Sequence, residues 1–216
     1  MPALDIQIEK LQKEEQEKAA TILTDAFESN PAYALIFTKK DKLKEGLFWL
    51  FKTNLFLLNR RMSVTRVVKE KESGKIVGVF SLLPPAGVKS KFSDYLQIGI
   101  PQFILKFGFR TLIKMLEMDS FNKKLLTNAI GTKEYYYLSM VAVREEYRGH
   151  GIGSFMIANC LEELRSTEKK CHIVGLTTQL PENVIFYTRL GFQKLDEGEV
   201  QFKQDCYYNY NMRLDL

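Results

Sequence analysis

The residues with the most chemical content lie between two apolar runs. Arg148-Gly149-His150-Gly151-Ile152-Gly153-Ser154 follows Leu138–Val143 (LSMVAV) and opens onto Phe155–Leu164 (FMIANCLEEL). A strand that passes through glycines into a helix N-terminus gathers unpaired backbone N–H groups at one spot. The helix dipole adds partial positive charge there. Together they make an anion site suited above all to phosphates. Glycine serves because the backbone must take unusual dihedrals and a ligand must approach main chain with no Cβ in the way. Arg148 sets a cation at the mouth. A plain strand-to-helix turn would need one glycine and no arginine.

The two common nucleotide motifs do not fit. The Walker pattern needs a lysine between its last glycine and the Ser or Thr, and Ile152-Gly153-Ser154 has none. The dinucleotide fingerprint needs GxGxxG, whereas GHGIG supplies GxGxG. A second group of residues lies downstream: Pro181-Glu182-Asn183, Phe186-Tyr187 and Leu190-Gly191-Phe192.

With both groups in view, the segment Tyr135–Phe192 resembles the GCN5-related N-acetyltransferase (GNAT) superfamily. Arg148–Gly153 is similar to that family's Arg/Gln-x-x-Gly-x-Gly/Ala signature, and Asn183…Phe186-Tyr187…Gly191-Phe192 to its downstream element. The likeness is nearest to bacterial puromycin N-acetyltransferase-type enzymes, on LSMVAV…RGHGIGS and NVIFYTRLGF. The N-terminal strands and helices match in order only. Some relatives carry a His-Trp pair before this strand. Here Tyr135-Tyr136-Tyr137-Leu138 stands instead, so any role of such a histidine is absent.

The resemblance implies acetyl-CoA as cosubstrate and an amine as acceptor. It implies that main-chain N–H groups of Gly149, His150, Gly151, Ile152, Gly153 and Ser154, with Arg148, wrap the pyrophosphate. It also implies that the strand splays from its neighbour and that Val141, Ala142 and Val143 bind the pantetheine arm as an added strand would. A main-chain N–H there would stabilise the oxyanion. Tyr187 matches the family's general acid, which protonates the departing thiolate. Asn183, four residues earlier on the same helical face, looks like a cofactor contact. No base is named. Glu145 and Glu146 are expected at a solvated turn, Glu134 is merely near in sequence, and His150 lies inside the loop, where a supporting contact or plain exposure is expected.

The positioning elements can be read from periodicity. Ile6–Ile8 alternates like a short strand. About 12–27 and 41–59 read as amphipathic helices, the first ended at Ser29-Asn30-Pro31. Strands at about 62–70 and 75–82 flank the turn Lys71–Gly74, and Pro84-Pro85 stops the second. Residues 86–132 read as two or three short helices, an insertion or lid, with a membrane-surface segment as the minor alternative. Then follow strand 135–143, helix 154–168, strand 172–179, helix 182–190 and two terminal strands, about 192–197 and 205–214. The expected fold is a single α/β (α+β) domain over 1–216, with 135–192 as cofactor core. The resemblance adds a mixed, mostly antiparallel sheet flanked by helices. Phe92, Tyr95, Phe103 and Phe107 are the aromatics expected at an acceptor pocket, with core packing an equal explanation.

Composition narrows the classes. The 216 residues suffice for a core without staples. No apolar window has membrane-span length, and no apolar leader opens the sequence, so a cytoplasmic protein is expected. Three cysteines without a CxxC pair, and two histidines, offer no metal pattern. Buried, reduced thiols are expected. Residues 1–127 hold 21 Lys and Arg against 14 Asp and Glu, including KKDKLK at 39–44, while 128–216 hold 10 against 12. No nucleic-acid motif accompanies that basic half, so no nucleic-acid partner is expected. The excess also argues against a strongly cationic acceptor. A protein N-terminal or lysine acetyltransferase and a noncatalytic acyl-CoA sensor are the alternatives. Homodimerisation through the C-terminal strand is possible.

Overall fold

In a computed structural model, residues 5–60, 62–88, 94, 97–132, 134–168 and 170–216 are described. The chain begins with β1 (Ile6–Lys10) and a short 3-10 turn at Lys13–Glu15. Helix α1 (Gln16–Phe27) buries Ala19, Ala20, Ile22 and Leu23 on one face. Asn30 then ends one helix and starts the next: its side chain accepts the Ala32 N–H at 3.0 Å, capping α2 (Pro31–Ile36), whose first residue is proline. Helix α3 (Lys40–Asn59) inserts Leu47, Phe51 and Leu55 into the core.

Strands β2 (Thr65–Glu70) and β3 (Ile76–Leu83) form the hairpin, with Gly74 at φ +65°. Within 86–132 lie α4 (Ile100–Phe107) and α5 (Phe109–Ile130), parted by Gly108 at φ +87°. Here the sequence reading needs correcting. α5 is one continuous helix of 22 residues, and Leu112, Met115, Met118, Leu126 and Ile130 on it are buried. Its apolar stripe shows no break, so tertiary packing keeps a single rod. Strand β4 (Tyr136–Val143), helix α6 (Ile152–Thr167), strand β5 (Ile173–Thr178) and helix α7 (Pro181–Arg189) follow in the expected order. The chain ends in β6 (Gln193–Phe202) and β7 (Asp205–Asp215).

The seven strands form one sheet in the order β1-β2-β3-β4-β5-β7-β6. All neighbours are antiparallel except β4 and β5. Helices α1 to α5 cover one face with Val67, Val79, Met140 and Ala142. Helices α6 and α7 cover the other with Val68, Val77, Phe80, Leu138 and Leu176.

Three further expectations change. β6 runs to Phe202, well beyond 197, because its mostly exposed, polar residues show no alternation while its pairing to β7 sustains it. β7 lies inside the sheet between β5 and β6, so its backbone is not an edge available for pairing across a dimer. Cys160 and Cys171 are buried, but Cys206 is exposed on β7.

Gly46, inside α3, shows how tightly the helical layer is packed. A Cβ there would sit 2.3 Å from a ring carbon of Phe37, which is itself buried against Phe103 and Phe107. Glycine to alanine in a helix ordinarily gains about 1 kcal/mol. Overpacking against a fixed ring outweighs that gain, and Gly46→Ala is expected to lose about 1–3 kcal/mol net. Urea denaturation measures it, and a stabilised variant would contradict this packing.

Candidate active site

The site is assembled where β4 leaves its neighbour. β4 pairs with β5 at only two positions, Tyr136↔Val174 and Tyr137↔Gly175. On its opposite edge β5 pairs with β7 along all of Ile173–Thr178, and β4 pairs with β3 on its own far edge. Between the pairs Val79↔Ala142 and Ser81↔Ser139, the two residues Met140 and Val141 oppose Phe80 alone. This is a β-bulge, and Met140 carries φ +53°, a conformation that a non-glycine side chain adopts only when its surroundings enforce it. The β5-facing backbone of β4 from Ser139 onward thus has no strand partner.

At the end of β4 a 3-10 turn, Glu145–Tyr147, leads into the glycine loop. Gly149 and Gly151 have φ +80° and +77°, with open space where a Cβ would project. Gly153 is glycine for another reason. It lies within α6, and a Cβ there would come within 3.1 Å of the Phe186 ring, so it permits close contact of α6 with α7. The first intrahelical bond of α6 runs from the Phe155 N–H to Gly151 at 2.9 Å. The N–H groups of Ile152, Gly153 and Ser154 precede it and have no helical acceptor. Ile152 is buried and anchors the loop, and Ser154 is exposed. Arg148 turns back, its Nε donating to the Val143 carbonyl at 3.2 Å. His150 is exposed, with Nδ1 2.9 Å from the Arg148 carbonyl oxygen.

Tyr187 sits on α7, with its ring edge-on to Phe186 and Phe192 at 5.0 and 5.6 Å. Its hydroxyl has no hydrogen-bond partner among the described residues, and burial raises its pKa well above the usual tyrosine value. Asn183 donates to the Thr178 hydroxyl at 3.0 Å. Both line a cavity of about 360 Å³ that also receives Tyr137–Val141 of β4. The structure therefore brings Tyr187, Asn183 and Val141 to one space, while Arg148 and the glycines frame the far end of β4.

Several cavity residues were not foreseen. Tyr33, Tyr137 and Asp119 line it with Phe27 and Phe51. Burial, with the Asp119 carboxylate next in effect, raises the Tyr33 and Tyr137 phenols well above their usual range. Their available signal was an acid and an amide at helical spacing within an apolar stripe, Met115-Met118-Asp119-Asn122. Of the expected aromatics, Phe103 is fully buried on Trp49 at 4.2 Å and is core, and Phe107 packs beside it. Phe92 and Tyr95 lie outside the described residues. Glu134, Glu145 and Glu146 do not line the cavity, and Glu146 pairs with Lys75 at 3.3 Å.

A chain of side-chain amides backs the cavity wall. Asn30 donates to Gln179 (2.9 Å), Gln179 to Asn209 (2.8 Å), Asn209 to Asn211 (3.3 Å) and Asn211 to Asp196 (2.7 Å). It joins the cap of α2 to β5, β7 and β6. Among the described residues no cluster of three or more metal-binding side chains occurs, and no helix is long and apolar enough to cross a membrane.

Residues 122–194 match the family model described as an acetyltransferase (GNAT) domain. That match spans 73 of the 216 residues, from the second half of α5 to the start of β6. The fold of the chain is similar to that of a structure described as histone acetyltransferase HPA2 and related acetyltransferase from Corynebacterium glutamicum. That similarity has a TM-score of 0.61 and 19% identity, over 96% of this chain and 94% of that one. It is also similar to a Drosophila melanogaster polyamine N-acetyltransferase, at TM-score 0.63 and 15% identity, over 98% of this chain and 100% of that one. A curated relative is a probable serine/threonine-protein kinase of Dictyostelium discoideum, 23% identical over 195 residues, or 84% of this chain. The chain spans only 20% of that protein's length.

The buried phenols make a prediction about pH. The unfolded chain releases tyrosine protons near pH 10, whereas folded Tyr33, Tyr137 and Tyr187 hold theirs to higher pH. The unfolded state then binds fewer protons, so stability is fully present below about pH 10 and falls above it. Melting temperature should decline from about pH 10 upward, and less steeply in Tyr187→Phe. Equal slopes in the two proteins would show that the Tyr187 phenol is not held neutral by the fold.

Proposed function

We propose that the protein transfers the acetyl group of acetyl-CoA to a primary amine of a small-molecule acceptor, by direct attack in a ternary complex. One observation carries the reading: a bulged strand parts from its neighbour between a glycine-framed helix N-terminus and the cavity-lining Tyr187, whose hydroxyl has no hydrogen-bond partner among the described residues.

The residues fit the cosubstrate. Open space above Gly149 and Gly151, with free N–H groups at the start of α6, suits a pyrophosphate. The unpaired edge of β4 at Val141–Val143 suits the amide groups of pantetheine, which would add to the sheet as a short strand. Arg148 and His150 border the loop, and Asn183 is held toward the cavity by Thr178.

In the reaction a neutral amine attacks the thioester carbonyl. The N–C bond forms as the C–S bond breaks, the amine loses one proton, and the thiolate gains one. A main-chain N–H at the Met140–Val141 bulge is suited to the developing oxyanion, an interaction worth roughly 2.7–4 kcal/mol per donor. Tyr187 supplies the thiolate's proton. A tyrosine phenol is protonated at neutral pH, as the role requires. The acceptor would enter a cavity roofed by α1, α2, α3 and α5. That enclosure favours a small molecule over an exposed protein lysine.

Isothermal titration with acetyl-CoA, against dephospho-CoA and NADH as comparators, tests the reading. Wild-type protein should bind acetyl-CoA selectively, and Gly151→Trp, which fills the loop, should abolish binding. In a CoA-release assay over an amine panel, Tyr187→Phe should lower kcat by about 10²–10⁴-fold while acetyl-CoA affinity stays near wild type. Absence of wild-type binding would end the acetyltransferase reading.

A further inference from the structure

Resting on the acetyltransferase reading, we propose that the acceptor is a monoamine with an apolar or aromatic body. We propose also that the Asp119–Lys123 pair at the cavity mouth excludes diamines and polyamines. The rings and charges of the lining are the ground for this. Phe27 and Tyr33 line the cavity with half-buried rings packed on the buried Phe51, centroids 5.2–5.9 Å apart, beside amides and hydroxyls such as Asn54, Asn122, Ser139 and Gln179. Met115 and Met118 of α5 extend the apolar wall. Among the described lining residues only Asp119 and Lys123 carry charge, and they are of opposite sign.

These two stand one helical turn apart on α5, with Lys123 Nζ 2.8 Å from Asp119 Oδ2. Their side chains are 51% and 64% exposed, which sets them at the opening. Asp119 lines the same cavity as Tyr33 and Tyr137. The cavity thus holds one carboxylate, already neutralised by the neighbouring lysine.

Reaction chemistry makes this charge balance selective. An alkylammonium must lose a proton before its nitrogen can attack. A monoamine then sits in the cavity uncharged, and its body gains from burial. A diamine keeps a second ammonium, which must be buried unpaired or must compete with Lys123 for Asp119. An unpaired buried charge is strongly disfavoured. The excess of basic residues in 1–127 further repels a polycation on approach.

The test compares hexylamine and 2-phenylethylamine with hexane-1,6-diamine as acceptors, using full-length protein and acetyl-CoA, with CoA release as readout. Wild type should favour the monoamines by about tenfold or more in kcat/KM, the discrimination expected for an unpaired charge. Lys123→Gln frees the carboxylate and should lower KM for the diamine by about two- to fivefold, the range of an exposed pair, with no matching change for the monoamines. Adding Asp119→Asn to that variant should cancel the gain. A wild-type preference for the diamine, or a Lys123→Gln variant with unaltered preference, would overturn the inference. So would acetyl-CoA binding without turnover of any of the three amines. Failure to bind acetyl-CoA at all would be seen separately by calorimetry and would remove the acetyltransferase reading itself.

Discussion

The parting of β4 from β5 is the constraint on which the rest of the site depends. Two register pairs hold the strands together, and there the packing is close. A Cβ on Gly175 would fall 2.5 Å from Ile130 and 3.1 Å from Tyr135, so the end of α5 is clamped onto the junction. On its other edge each strand is held throughout: β5 makes six register pairs with β7, and β4 runs along β3. A buried backbone edge without hydrogen bonds is costly. It persists here because antiparallel pairing on the outer sides holds both strands, and because the opening is a cavity rather than packed core.

The bulge is the second device at that place. One extra residue on β4 bends the strand and leaves a main-chain group out of the ladder. Met140 is held at φ +53° with its side chain buried in the α1–α5 face. The strain sits in a strand that the rest of the sheet fixes, as local strain at functional positions generally requires.

The amide chain from Asn30 to Asp196 acts on the same wall from the other side. Each amide in it has a partner, and buried polar networks rigidify a structure only when they are satisfied. It ties the start of α2, where Asn30 lines the cavity, to β5 and the β6–β7 hairpin. The exposed ion pairs elsewhere, such as Lys44 with Asp25 and Lys52 with Glu17, contribute little by comparison.

The order of elements and the glycine loop were legible in the sequence because each is a local signal. Apolar period, turn residues and three glycines near an arginine depend on neighbours within a few positions. The site beyond Tyr187 and Asn183 was not legible in this way. Tyr33, Asp119 and Tyr137 come from three separate elements and become one lining only when α2, α5 and β4 pack together. The inward asparagines of Tyr207–Met212 were hidden for a related reason: alternation marks a strand but does not say which face turns to a polar interior. Phe103 illustrates the converse, since its type suggested a pocket and its neighbours made it core. The sequence by itself determined the glycine turn between strand and helix and the succession of strands and helices, because backbone conformation answers to local residue type. Only the tertiary structure decided where β4 opens, that β7 is interior, and which charges face the cavity, because those follow from pairings between residues far apart in the chain.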